Sequence, residues 1–176
     1  MNTITLGFAD ERDKTYGIAG MVITLVAMDG EDNLEALDLD GPAGEWVLMS
    51  NSFGSKGNPR MSAKIIWEQT LAELRMETSM ALGNIACRRY VLSHTGIGTD
   101  EIAALRKALI EDAKEHCGLE NDESERLFES CHSYVDRIFR HSGIQDVAHR
   151  FAANIAERRR LTASEAVEML ASMGLR

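Results

Sequence analysis

The sequence predicts an α+β fold: an N-terminal antiparallel β-meander of three to four strands over residues 1–55, packed on a long central helix over 59–90, with an antiparallel helical bundle over 100–175. Three observations predict it. The N-terminal third is rich in Val, Ile and Thr and is punctuated by turn signals. From Met61 to about Arg89, apolar residues recur at alternating three- and four-residue steps, the period of a helix. Beyond Asp100, helical periods are separated by short loops, which favour antiparallel neighbours. A chain of 176 residues buries about 70% of the surface its unfolded form exposes, so residues 1–176 are expected to form one domain.

Within the meander, residues 2–8 are β-prone and Ala9 to Lys14 is a charged connection. Tyr16 to Met28 is expected to be a long central strand, because it holds too few polar positions to be half exposed. Asp29-Gly-Glu-Asp-Asn33 is a hairpin signal, after which Leu34 to Asp40 returns with Leu37 and Leu39 on one face and Asp38 and Asp40 on the other. Gly41-Pro-Ala-Gly44 makes the next turn, and Glu45 to Ser50 the next strand.

Asn58 is placed to cap the central helix, with Pro59 in its favoured first-turn position. One stripe of this helix comprises Ala63, Trp67, Leu71, Leu74, Thr78, Ala81, Leu82 and Ile85; a thinner one, Met61, Ile65, Ala72, Met76 and Met80, lies roughly opposite. A helix apolar on two sides must be covered on two sides. Gly83 and Asn84 are its weak point. Further helices are expected from Asp100 to Cys117, stopped by Gly118; from a cap at Asp122 and Glu125 to near His141; and from Gln145 to Arg159. A short last helix opens with the capping box Thr162 and Glu165, with Leu161 placed as a staple against Ala166.

The net charge of −9 falls unevenly: residues 1–60 hold 10 acidic and 4 basic residues, while residues 142–176 hold 4 and 5. Such an acidic excess argues against nucleic acid as a partner, since phosphate contacts need a basic surface. The longest apolar run, Tyr16 to Met28, has 13 residues, against the roughly 20 needed to cross a bilayer. No membrane span is expected. The N-terminus lacks the pattern of a secretory signal, so the expected compartment is the cytoplasm. Cys87, Cys117 and Cys131 form no CxxC pair and fit apolar helix faces, where a reduced thiol acts as a small hydrophobe.

Several patterns suggest chemistry. Glu129-x-x-His132 and Asp146-x-x-His149 have the carboxylate–histidine spacing of dinuclear metal bundles, but both pairs point away from the apolar stripes of their helices. No metal site and no cofactor is therefore predicted. His116 and His141 stand in the last turns of helices, where an imidazolium interacts favourably with the dipole. His94, in a Gly-rich loop, is the freest histidine. The segment Gly54 to Arg60 offers Lys56, Asn58 and Arg60 before a helix N-terminus, an arrangement that attracts anions, although the order of glycine and lysine is not that of a P-loop. Seven acids between Asp29 and Glu45 make an acidic sheet face, which Arg158, Arg159 and Arg160 are suited to meet in the same chain or in a neighbour. Met61, Ile65, Met76 and Met80 form either core filling or an adaptable interface.

No convergent catalytic set emerges. The expected role is that of a cytoplasmic, non-enzymatic interaction or assembly protein that self-associates as a homo-oligomer. The alternative is a small-ligand enzyme or sensor that holds an anion or phosphorylated metabolite on the Gly54–Arg60 loop.

Overall fold

The computed structural model describes residues 7–50 and 62–175, with the side chains of Ala63 and His116 left aside. Six α-helices and three short strands run in the order α1 (Glu11–Ala27), β1 (Leu34–Asp38), β2 (Val47–Met49), α2 (Ala63–Ala86), α3 (Thr99–Cys117), α4 (Asn121–Arg140), α5 (Ser142–Arg158), β3 (Arg160–Thr162) and α6 (Ala163–Ser172). The described residues are mostly helical, with one small antiparallel sheet, an α+β composition.

The largest departure from expectation is the stretch Tyr16 to Met28, which is helix rather than central strand. Asp10 caps α1 by accepting the Asp13 N–H at 2.7 Å, so the charged connection is the helix start. Ile18, Ala19, Val22, Ile23 and Leu25 are all fully buried. A helix enclosed on every side shows no amphipathic period, and burial overrides the weak preference of its β-branched residues for strands. Its hydroxyls are satisfied internally: Thr15 donates to the Glu11 carbonyl at 2.7 Å and Thr24 to that of Gly20 at 2.8 Å.

The sheet is correspondingly smaller than a three- to four-stranded meander in residues 1–55. Two strands come from that region, and the third, β3, comes from the far end of the chain; the order is β2-β1-β3, antiparallel throughout. Leu37 pairs with Val47 on one side and Leu161 on the other, and all three side chains are buried. Arg160 stands opposite Asp38.

Helix α2 runs Ala63–Ala86 rather than over the expected 59–90, with Ser62 as its cap; the expected cap, Asn58 with Pro59, lies outside the described residues, and Gly83 and Asn84 do not break the helix. It continues instead into a π-helical turn, Cys87–Leu92. Three consecutive side chains of this turn reach three different helices. Arg88 donates through Nε to Asp13 of α1 at 2.7 Å, Arg89 through Nε to Glu101 of α3 at 2.9 Å, and the Tyr90 hydroxyl donates to Asp136 of α4. Wide π turns recur where a helix must re-aim its side chains. Here the turn ties the end of α2 to everything around it.

The remaining helices lie within a few residues of expectation. Gly118 ends α3 in the left-handed region at φ 62°. The Thr162 hydroxyl accepts from the Glu165 N–H while Glu165 accepts from that of Thr162, so the last capping box forms as read. Helix α4 starts with Glu123 accepting the Glu120 N–H at 3.0 Å, two residues before the expected Asp122–Glu125 pair. His141 serves both helices: its backbone N–H donates to the Ile138 carbonyl at the end of α4 at 3.1 Å, while its ring Nδ1 accepts the Gly143 N–H at the start of α5. Among the described residues no helix is long and apolar enough to cross a membrane.

Candidate interaction surface

Helix α2 joins the core only partway along its length. Ser62 caps it by accepting the Ile65 N–H at 3.3 Å. The side chains described from Ser62 through Gln69 are all exposed, and the first fully buried one is Leu74. The opening turns therefore project from the body, carrying Ile65, Ile66 and Trp67 at 43%, 39% and 42% exposure. Trp67, expected on the buried stripe, lies beyond the reach of the core, and so does Ile65 of the second stripe. Large apolar side chains exposed on these turns make this a candidate contact site. Lys64 and Glu68 flank it as an i,i+4 ion pair at 3.7 Å, both largely exposed.

The other members of the methionine stripe part company with Ile65. Met80 is buried in the main core, and Met76 is half-buried against it beneath Gly30. Met61 lies outside the described residues, as do Lys56, Asn58 and Arg60 of the proposed anion loop. Only Ile65 of the four interface candidates thus stands at the described surface, and Ile66 and Trp67 join it.

A second apolar feature lies open between α3 and α4. Ile97, Ile102, Ala103 and Ile110 line a groove of about 700 Å³, edged by Arg106, Lys107, Glu111 and Glu125. Arg106 bridges Glu125, at 3.5 Å, and Glu129 of α4, with its guanidinium over the Phe128 ring. Glu129 is thus committed to an arginine, and His132 stacks on Phe128 with ring centroids 6.0 Å apart. Lys107 and Glu111 form an i,i+4 pair at 4.0 Å whose side chains are 77% and 67% exposed.

The second carboxylate–histidine pair is parted in the same way. His149 turns to the Tyr16 hydroxyl, 2.7 Å from its Nδ1, while Asp146 is exposed. Among the described residues no three His, Cys, Asp or Glu side chains converge on a point where a metal ion would sit. His94 has a positive φ of 52° and is exposed. Its ring lies 6.3 Å from that of His149, so the structure lines up Tyr16, His149 and His94 from three separate elements. The sequence held no signal for that row. Cys87 and Cys131 are buried, and desolvation raises both thiols above the ordinary range, which keeps them protonated.

The three arginines at the end of α5 and the start of β3 are all paired within the chain. Arg158 pairs with Glu165 at 3.5 Å, Arg159 with Glu11 at 3.1 Å and with Asp40, and Arg160 with Asp38 at 4.0 Å. Two acids of the sheet region, Asp38 and Asp40, are thus met by arginines of the same chain.

No protein-family model, curated protein or solved structure matches this chain.

Proposed function

We propose that this chain is a cytoplasmic, non-enzymatic assembly protein that self-associates through the projecting start of α2. One observation carries the reading: Ile65, Ile66 and Trp67 stand together at the surface, on turns that make no contribution to the core. Fully burying a large apolar side chain gains about 1.5–3 kcal/mol relative to full exposure, and these three, at 39–43% exposure, have about two-fifths of that left to gain. Tryptophan is also the residue type most enriched among interface hot spots.

Size-exclusion chromatography with light scattering tests this, on the parent and on Trp67→Glu. The parent is expected as a dimer or larger species at micromolar concentration. Trp67→Glu is expected as a monomer with the parent's circular dichroism, because Trp67 lies outside both clusters of buried core residues. A parent that stays monomeric throughout the micromolar range contradicts the proposal.

A further inference from the structure

We infer that the start of α2 docks in the α3–α4 groove of a second copy of this chain, with α2 antiparallel to α3. This inference rests on the self-association proposed above and adds the surface that receives the helix. Of the three exposed side chains, Ile66 and Trp67 lie within about 100° of each other on the helix, and the groove between α3 and α4 has an apolar lining of Ile97, Ile102, Ala103 and Ile110 that suits them.

The charges select the orientation. The tip of α2 carries Lys64 and Glu68, and the rim of the groove carries Lys107 and Glu111, in the same order and at the same spacing. Laid parallel, the helices would bring lysine to lysine and glutamate to glutamate. Laid antiparallel, Lys64 faces Glu111 and Glu68 faces Lys107, and both contacts are attractive. All four side chains are more than half exposed, so they are free to change partners. Trp67 follows Lys64 by three residues and Ile110 follows Lys107 by three, an offset of about 60° from each lysine. In an antiparallel pair equal offsets fall on the same side of the seam. Trp67 then enters the groove beside Ile110 and the Arg106 guanidinium, a cation that stacks well on an indole.

The test exchanges the charges. One variant carries Lys107→Glu with Glu111→Lys, a second carries Lys64→Glu with Glu68→Lys, and a third carries all four substitutions. Each exchange keeps an opposite-charge i,i+4 pair within its own helix, so folding is unperturbed. Sedimentation equilibrium reads the dissociation constant. Either exchange alone turns two attractions into two repulsions and is expected to weaken association about tenfold or more. The fourfold variant is expected to return to within about threefold of the parent. A fourfold variant as weak as either exchange alone overturns the docking, as does an exchange without effect. If Trp67→Glu yields monomers while the exchanges change nothing, self-association stands and the groove is not its receptor. A monomeric parent overturns both.

Discussion

Arg88→Met is expected to destabilise the protein by about 3–5 kcal/mol, a large share of the roughly 5–15 kcal/mol that holds a domain folded. Arg88 and Asp13 form an ion pair whose side chains are 8% and 10% exposed. The guanidinium also donates to the Asn84 side chain at 3.3 Å and to the Gly7 carbonyl at 2.9 Å. Removing the cation while keeping its apolar stem leaves the Asp13 charge buried, supported by little more than the Ala9 N–H at 3.0 Å. Asp13→Leu combined with Arg88→Met is expected to recover most of the loss, because no uncompensated charge then remains. Urea unfolding at pH 7 measures both.

The same pair fixes the pH dependence. Burial pushes the Asp13 carboxyl up, but its hydrogen bonds with Arg88 and with the Ala9 N–H, together with the charges of Arg88 and Arg89, outweigh that and hold it below the ordinary carboxylate value. A lowered folded-state pKa contributes stability that is fully present above the unfolded value of about 4 and is lost as pH falls through the folded value. In Arg88→Met the burial is opposed only by the Ala9 N–H and the Arg89 charge, so Asp13 protonates more readily than in the parent. Acidification from pH 7 to pH 4 is therefore expected to narrow the gap between parent and variant. A gap that widens contradicts this assignment.

Gly20→Ala is the second large effect, with an expected loss of about 3 kcal/mol. Helices α1 and α2 touch backbone to backbone here. A Cβ at Gly20 would overlap the Gly83 carbonyl oxygen and lie 2.6 Å from the Cβ of Cys87, and one at Gly83 would overlap the Thr24 hydroxyl. Backbone atoms cannot swing aside, so the helices must separate along their length. The gain in helix propensity, about 1 kcal/mol, does not offset this. Gly96→Ala is the control: a Cβ there meets nothing within 4 Å, and its effect is expected within about 0.5 kcal/mol.

What was legible in the sequence was what leaves a local mark. The stop at Gly118 and the Thr162–Glu165 box depend on neighbours a few residues away, and both stand in the fold, whereas Gly83 and Asn84, the weak point by propensity, leave α2 unbroken. Helix α1 shows a strand-like pattern because enclosure erases the polar face that would reveal its period. Its length was the better guide, since 13 residues exceeds an ordinary strand. Strand β3 has only three residues between two helices, too few to show alternation, and it exists because Leu161 fills a place beside Leu37.

The candidate surface shows the same limit. Periodicity gives the side of α2 on which Trp67 lies, but not how far along the helix the core extends. With the core beginning at Leu74, the start of the buried stripe becomes exposed apolar surface. Ile65 was named for an interface and remains at the surface, whereas Met76 and Met80 of the same stripe lie where the core has already begun.

The central claim is that a second copy covers Trp67. The chain contains two tryptophans, so Trp46→Phe leaves Trp67 as the only indole. Its fluorescence should be followed on dilution from high to low micromolar concentration, beside the species mass from light scattering. The account predicts a blue-shifted emission in the assembled species that moves to the red as it dissociates. An emission maximum that stays that of a water-exposed indole while the mass shows an intact assembly would contradict it.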